Sequence, residues 1–441
     1  MLWVFLLILQ TEALKPSLNV ALKSSELSAI KNVLVREFSD KLKNITLPDF
    51  TKDYFVVKIT GRNIKAHISP FNESQIEIKL VEDTNQITVK GKGLNFNGEM
   101  DLTTKFLFIK HKNRGTIKVS DTGFTAKMRI LRNGERLKVV VEELSISTSR
   151  NKFDIAIKGN SFDSILNFFF KIIQFIFFNS IIDLVNSIGK EIIQGILDKA
   201  LSTYRNDIEL FPGVFTKFIV TSVNITKNGY LPISLFVYGH NRTHDKEPKE
   251  LPPDLPNGSP TCDKGFQLFL SDFILKTILK ASYEEGQLKF YSEMNVFNFA
   301  LEISCNASSL PSIELKSNIE AKGTIICKAK VKSAELDINM IVSFEADVSS
   351  KLKEDIKEAK LYVDIETILI EKLRVIEGKD IDEKKLKDMM NSLINDFREE
   401  FNKSVKKDGI ELPVIKHLDL SDIEESIIQD YIFFCGSLKM G

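Results

Sequence analysis

Few residues in this chain have the type and spacing that chemistry needs. His240, His244 and Asp245, in the stretch HNRTHD, are spaced like zinc ligands. They stand where the chain runs into a Pro-rich segment, and a solvated loop accounts for them equally well, so no metal is expected there. The chain has no G-x-S-x-G, no Gly-rich phosphate loop and no Cys-x-x-Cys. Nucleophile-elbow hydrolysis, nucleotide chemistry and dithiol redox chemistry therefore lack their usual supports, and neither an enzyme nor a cofactor is expected. The four cysteines, Cys262, Cys305, Cys327 and Cys435, all fall in the second half. Four cysteines allow three pairings. Cys262 opens that half and Cys435 lies near its end, which favours Cys262–Cys435 with Cys305–Cys327, free thiols being the alternative.

Disulfides need an oxidising compartment. The opening MLWVFLLILQTEAL has an apolar run too short to span a bilayer, followed by small residues, and residues 1–13 read as a secretory signal peptide. Seven N-x-[ST] sequons fit that route. Asn44, Asn72, Asn224, Asn241, Asn306 and Asn402 are glycosylation candidates, while Asn257 is a poor one because Pro260 follows its Ser. A secreted, extracellular protein is the expectation.

The net charge of zero conceals a division. From Leu14 to Asp245 there are 33 basic and 23 acidic side chains; from Lys246 to Gly441 there are 27 and 36. Basic residues are densest from Thr104 to Lys138, where ten face only Asp121 and Glu135. Such a stretch suits a partner with anionic groups, or is an ordinary solvated sheet face.

The elements that must position these residues follow one plan twice. Residues 14–245 form a basic domain, 246–261 a stiff Pro-rich linker (EPKELPPDLPNGSP lies across it) and 262–441 an acidic domain. Each domain reads as a helix, a run of alternating strands, a long helix and a closing strand. In the first, the helices span about Leu22 to Ile45 and Ser161 to Arg205, with turns at KNRG and RNGE and a last strand FTKFIVTSVNI. In the second, the helices span about Leu270 to Ala281 and Glu383 to Lys406, with TIICKAKVKSAELDINMIVSFEADV as a strand and a last strand from Val414 to Phe434.

The long first-domain helix carries more apolar surface than one contact needs. Leu166, Phe170, Ile173, Phe177, Ile181, Leu184, Ile188 and Ile192 form a continuous stripe suited to lying on a sheet. Ile165, Phe168, Phe169, Ile172, Phe175 and Ile176 form a second stripe in its first half only. After Asn179, polar residues Asp183, Asn186, Lys190 and Gln194 are expected to face solvent. Lys171 near the middle disfavours a membrane span, since a central Lys costs about 2.5–3.5 kcal/mol on insertion. On the residues alone, the second stripe meets more protein or, alternatively, lines a lipid-sized cavity.

Three segments, LKNITLPDFTKDYFVVKI (Leu42 to Ile59), FLSDFILKTILKASYEEGQLKF (Phe269 to Phe290) and EEFNKSVKKDGIELPVIKHLDL (Glu399 to Leu420), resemble matching parts of the bactericidal/permeability-increasing protein and lipopolysaccharide-binding protein family. The order of the whole chain after residue 13, linker included, is similar. The resemblance implies an α+β boomerang of two tandem tubular lipid-binding domains, each a twisted antiparallel sheet wrapped on long helices, with a shared central sheet. It implies acyl-chain pockets and no enzyme chemistry. It places Ile165, Phe168, Phe169, Ile172, Phe175 and Ile176 on the pocket-lining helix, which moves the balance toward the cavity. It also places Lys110, Lys112 and Arg114, in KHKNRG, at a basic tip that meets anionic headgroups, with Lys90 and Lys92 nearby. The chain departs from the family in having no cysteine before position 262, in carrying Glu99 and Asp101 near the tip, and in lacking an exposed Trp there.

The expected protein is a non-enzymatic binder of phospholipid or lipopolysaccharide, with an anionic membrane surface as partner, no nucleic acid, and a part in innate antibacterial defence. A lipid-transfer protein without headgroup preference is the alternative. The oligomeric state is open.

Overall fold

In the strand Gln86–Phe106, Leu94, Phe96, Gly98, Met100 and Leu102 are buried while Asn95, Asn97, Glu99 and Asp101 are exposed. A strict period of two makes one face of a half-buried sheet, and the described residues form three sheets. The computed structural model describes all residues but 1–13, 28–30, 32–44, 55–56, 70–72, 107–108, 159–162, 203–204, 244–246, 256–261, 297–298, 317, 332–335, 354–359, 378–381, 409, 412–417 and 441.

The first-lobe sheet holds β2 (Ile45–Leu47), β3 (Phe50–Tyr54), β4 (Val57–Ile68), β5 (Ile76–Val81), β6 (Gln86–Phe106), β7 (Ile109–Asn133), β8 (Arg136–Ser147) and β9 (Phe153–Lys158). Its main path is β2-β4-β6-β7-β8; β3 pairs with β4, β5 with β6 and β9 with β7. The second-lobe sheet holds β14 (Lys289–Val296), β15 (Phe299–Ala307), β16 (Ser312–Leu315), β17 (Ile319–Val331), β18 (Leu336–Lys353), β19 (Lys360–Glu377) and β20 (Ile410–Glu411). Between them lies a sheet shared by both halves, in the order β10 (Asp207–Phe211), β11 (Val214–Val223), β12 (Tyr230–Asn241), β1 (Leu18–Lys23), β13 (Phe266–Ser271), β22 (Tyr431–Met440) and β21 (Leu418–Ile428).

The halves meet where β1, the first strand described, pairs with β13, the first strand of the second half. To either side, β1 pairs with β12 and β13 with β22, each the last strand of its half. Each half thus sets its own last strand beside its first in the central sheet. The central core is continuous across the join, with Leu18, Leu22, Val237, Phe266, Leu268, Ile432 and Phe434 in one cluster.

Among the described residues three α-helices are complete: α1 (Asp163–Ser202), α2 (Asp272–Glu284) and α3 (Glu383–Asp408). α2 starts where the Ser271 side chain accepts from the Phe273 N–H, and then packs on β12 of the other half. The contact is close because residue 239 is glycine: a Cβ there would lie 2.4 Å from the Ile278 Cα.

Several sequence expectations need correcting. The helix expected from Leu22 to Ile45 starts too early and ends too late, since Leu22 and Lys23 close β1 and Ile45 opens β2; Leu27 and Lys31 are helical, and 28–30 and 32–44 lie outside the described residues. KNRG is not a turn but lies inside β7; the chain reverses between Phe106 and Ile109. The expected long strand 324–348 is the hairpin β17–β18, and the last expected strand is the hairpin β21–β22. The strand FTKFIVTSVNI is β11, and β12 follows it as a further strand.

Candidate functional site

The long helices do not merely lie over the sheets; they run along free sheet edges. β8 and β19 leave backbone groups unpaired, and such groups need partners when water is excluded. Gln194 of α1 takes two at once. Its Oε1 accepts from the Val141 N–H and its Nε2 donates to the Val139 carbonyl, both at 2.8 Å. Asn186 Oδ1 accepts from the Ile146 N–H at 2.9 Å, and Lys190 Nζ donates to the Glu142 carbonyl at 3.0 Å. These three residues were expected to face solvent; instead they clasp β8.

α3 repeats the device. Asn402 bonds both the N–H and the carbonyl of Ile365. Arg398 donates to the Glu366 carbonyl at 2.7 Å and Lys387 to the Glu371 carbonyl at 3.2 Å. Glu142, Glu366 and Glu371 are each the extra residue of a β-bulge. A bulge leaves one residue out of the ladder, and in all three cases a helix cation takes its carbonyl.

Phe178, Val185, Ile188 and Ile192 turn α1 onto the apolar face of the first-lobe sheet, beside Ile59, Phe96, Ile117 and Phe153. The Phe153 and Phe178 rings meet edge to face, 5.4 Å apart. The side chains of Ile165, Phe168, Phe169, Ile172, Phe175 and Ile176 lie outside the described ones; their backbone belongs to α1. Among the described residues no helix is long and apolar enough to cross a membrane.

Lys110, Lys112 and Arg114 are exposed on one face of β7. Across the ladder, Lys110 faces Lys105, Lys112 faces Thr103, and Arg114 lies between Asp101 and Lys158. Among the described residues Lys105, Lys110, Lys112 and Arg114 take no ion pair, whereas Asp101 accepts from Asn63 at 2.8 Å. Lys90 and Lys92 are exposed too, but not nearby. Lys90 pairs with Thr125, fifteen positions along β7 from Lys110 and about 50 Å of strand at 3.3 Å per residue. They also have their own counter-ion: Glu77 is held below the usual carboxylate range by a Lys79 hydrogen bond and by the charges of Lys79, Lys90 and Lys92.

The remaining candidates divide plainly. Cys262 is bonded to Cys435 and Cys305 to Cys327, with Cα separations of 6.0 and 4.0 Å. His240 is buried, with Nε2 2.8 Å from Asp207 and its ring stacked on Phe215; His244 and Asp245 lie outside the described residues. No group of His, Cys, Asp and Glu among the described residues could hold a metal. Asn224 and Asn306 are exposed, while Asn44, Asn72 and Asn257 lie outside the described residues. Asn241 is buried and its Nδ2 donates to Glu284 at 3.0 Å. The Asn402 Nδ2 is likewise engaged, donating to the Ile365 carbonyl. The clasp residues were legible only as polar positions on a helix; nothing in the sequence said that a strand edge would face them.

The class of fold is defined by comparison with solved structures. Over 97% of this chain and 100% of the other, it superimposes on a lipopolysaccharide binding protein with a TM-score of 0.59 at 13% identity. P47 of Clostridium botulinum E1 (TM-score 0.33, 12% identity, 97% of this chain and 100% of that one) and Takeout 1 of Epiphyas postvittana (0.23, 12%, 38% and 78%) also align. At these identities the likeness is one of fold. No family model and no curated protein matches the sequence.

Proposed function

We propose that the chain is a secreted, non-enzymatic lipid-binding protein. Acyl chains enter between α1 and the first-lobe sheet, and Lys110, Lys112 and Arg114 hold anionic headgroups of phospholipid or lipopolysaccharide. Its domains are residues 14–245 and 262–441 in a boomerang, joined by the linker 246–261, with residues 1–13 as signal peptide. A role in innate antibacterial defence follows from the family resemblance. Two disulfides support an oxidising, extracellular setting, and the fold shared with a lipopolysaccharide binding protein supports lipid as the ligand.

One observation carries the reading. The line of α1 that clasps β8 runs through Gln194, Lys190 and Asn186. At helical spacing it continues toward the N-terminus through Asp183, Asn179, Ile176, Ile172, Phe168 and Ile165. β8 ends at Ser147, one residue past the Asn186 contact. Past the end of its strand partner the line carries Asp183 and Asn179, and from Ile176 onward it is apolar. A ligand with hydrocarbon chains suits that surface.

The test replaces Phe168 and Phe175 by Gln and measures bound lipid per protein and melting temperature on the same variant. Loss of copurifying lipid with little change in melting temperature is expected. A large fall in melting temperature with lipid retained would make the stripe protein core. Replacing Lys110, Lys112 and Arg114 by Glu, or raising the salt, is expected to weaken binding to anionic vesicles, since exposed charges are screened beyond about 8 Å at physiological ionic strength. Indifference to both, with lipid still bound, would leave a lipid-transfer protein without headgroup preference.

A further inference from the structure

Helices close one edge of each outer sheet, α1 on β8 and α3 on β19. The opposite edge of the second-lobe sheet is β14. Among the described residues β14 pairs with β15 alone, and its ladder runs from Lys289 opposite Asn306 to Val296 opposite Phe299 without a bulge. The edges of the central sheet differ, since β10 and β21 each pair through a register shift. Bulges, prolines and covering helices keep sheet edges from pairing with other chains. The β14 sequence, KFYSEMNV, has no proline, and its only charges are Lys289 and Glu293, which are of opposite sign.

Backbone direction and side-chain order at this edge agree. The Ala307 N–H donates to the Leu288 carbonyl at 3.1 Å, and bonded and non-bonded pairs alternate along an antiparallel ladder. Phe290, Ser292 and Met294 therefore bond to β15, while Lys289, Tyr291 and Glu293 direct their backbone groups outward. The disulfide confirms the count: Cys305, opposite Phe290, meets Cys327 at a Cα separation of 4.0 Å, as a non-bonded pair of β15 with β17 should. The side chains of Lys289, Tyr291 and Glu293 share one exposed face; Tyr291 is 62% exposed and donates to Glu293 Oε1 at 2.6 Å. Lys-x-Tyr-x-Glu is its own complement when laid antiparallel to itself. Lys289 then meets Glu293, Glu293 meets Lys289 and Tyr291 meets Tyr291. All three direct their backbone outward, so the register that matches the charges also matches the hydrogen bonds. Glu293 faces Glu302 across the β15 ladder, and like charges so placed repel. Glu302 has Lys330 on its far side; a lysine beyond the edge gives Glu293 the same.

We propose that β14 pairs with β14 of a second copy of this chain, antiparallel, about a two-fold axis at Tyr291. The two Tyr291 residues exchange N–H and carbonyl bonds, and each Glu293 N–H donates to the Lys289 carbonyl of the other copy. The Lys289 N–H keeps its bond to the Gln287 carbonyl, 2.8 Å away, and that ends the ladder. Nothing in this pairing depends on the lipid-binding reading, since β14 lies in the second lobe and holds no residue assigned to lipid. One strand of eight residues offers less than the roughly 1,600 Å² of a standard interface. The dimer is therefore reversible and forms as concentration rises.

The experiment follows sedimentation velocity over a concentration series for the parent chain, Lys289→Glu and Glu293→Lys. Asn306, a glycosylation candidate, lies beside Lys289 on the same exposed face, so the series is run with and without Asn306→Gln. The parent is expected to dimerise on at least one of these backgrounds. Each single substitution sets like charges opposite one another and is expected to weaken association about tenfold. An equimolar mixture of the two variants restores complementary charges and is expected to recover it, which a misfolded variant would not do. Tyr291→Cys is expected to form a disulfide between copies, because a bonded pair sets its Cα atoms about 5.5 Å apart. Ser304→Cys, exposed on the same face one strand inward, is expected to form none. A parent that stays monomeric on both backgrounds would overturn the pairing. A dimer indifferent to both single substitutions would place the contact elsewhere and overturn it too. So would two weakened variants that mixing does not restore.

Discussion

Asn402 on α3 holds both backbone groups of Ile365: its Oδ1 accepts from the Ile365 N–H and its Nδ2 donates to the Ile365 carbonyl, each at 2.9 Å. A carboxamide is the side-chain group that offers one donor and one acceptor at the spacing of a strand edge. Asn402→Ala leaves both edge groups without their partner. We expect a loss of about 1–3 kcal/mol, read as a lower urea midpoint. Asn402→Gln moves the amide outward by one methylene and is expected to recover less than half. An unchanged midpoint in Asn402→Ala would show that water replaces the clasp freely.

The same atoms decide which sequons are used. A glycan attaches to the amide nitrogen, and in Asn241 and Asn402 that nitrogen donates to Glu284 and to Ile365. Asn224 and Asn306 are exposed. Peptide mapping of protein secreted from eukaryotic cells is expected to find Asn241 and Asn402 unmodified and glycan on Asn224 or Asn306. Full occupancy of Asn402 in folded protein would show that the clasp does not keep a glycan from this amide.

The sequence made the period-two strands and the long helices legible, because burial on one face imposes a period that composition records. The cysteine pairing was also readable, from position alone. The tip of the first lobe was not. Its hairpin reverses between Phe106 and Ile109 within KFLFIK, without Gly, Pro, Asn or Asp to mark it. KNRG, which has turn composition, continues β7. The structure moves Lys110 from a loop to a ladder position opposite Lys105. The distance between Lys90 and Lys110 was equally hidden, since it depends on β6 and β7 being 21 and 25 residues long.

Alkaline pH tests the seam between linker and second lobe. Tyr431 is fully buried, and its hydroxyl donates to the Pro253 carbonyl at 2.8 Å. Burial, with Asp254, Asp272 and Asp430 adding to it, pushes its pKa up to about 12 despite a Ser271 hydrogen bond that lowers it. Unfolded chains release this proton near pH 10, so between about pH 10 and 12 the native state holds one proton more. Stability then falls by about 1.4 kcal/mol per pH unit across that window, and is unaffected by this group below it. Tyr431→Phe is expected to flatten that slope while costing about 1 kcal/mol at pH 7 through the lost hydrogen bond. Urea titrations at pH 8 and pH 11 measure both, and equal pH slopes in parent and variant would clear Tyr431 of the effect.

Gly239 tests how the halves are joined. It lies in β12 of the first half, its N–H donates to Thr277 Oγ1 at 2.9 Å, and α2 of the second half crosses directly over it. An added Cβ would meet the Ile278 Cα at 2.4 Å, the Ile278 nitrogen at 2.5 Å and the Thr277 carbonyl carbon at 2.8 Å, all of them backbone. Backbone in a helix cannot swing aside as a flexible side chain can, so α2 must lift away from the sheet. Overpacking typically costs about 1–3 kcal/mol, and here the loss falls on the contact between halves. Gly239→Ala is therefore expected to lower the melting temperature and to expose the segment around Thr277 and Ile278 to amide exchange ahead of the outer sheets. Thr277→Val, which removes only the hydrogen bond, separates the two contributions. Should Gly239→Ala melt like the parent, with α2 still protected, the close approach of α2 to β12 would not be what fixes one half on the other.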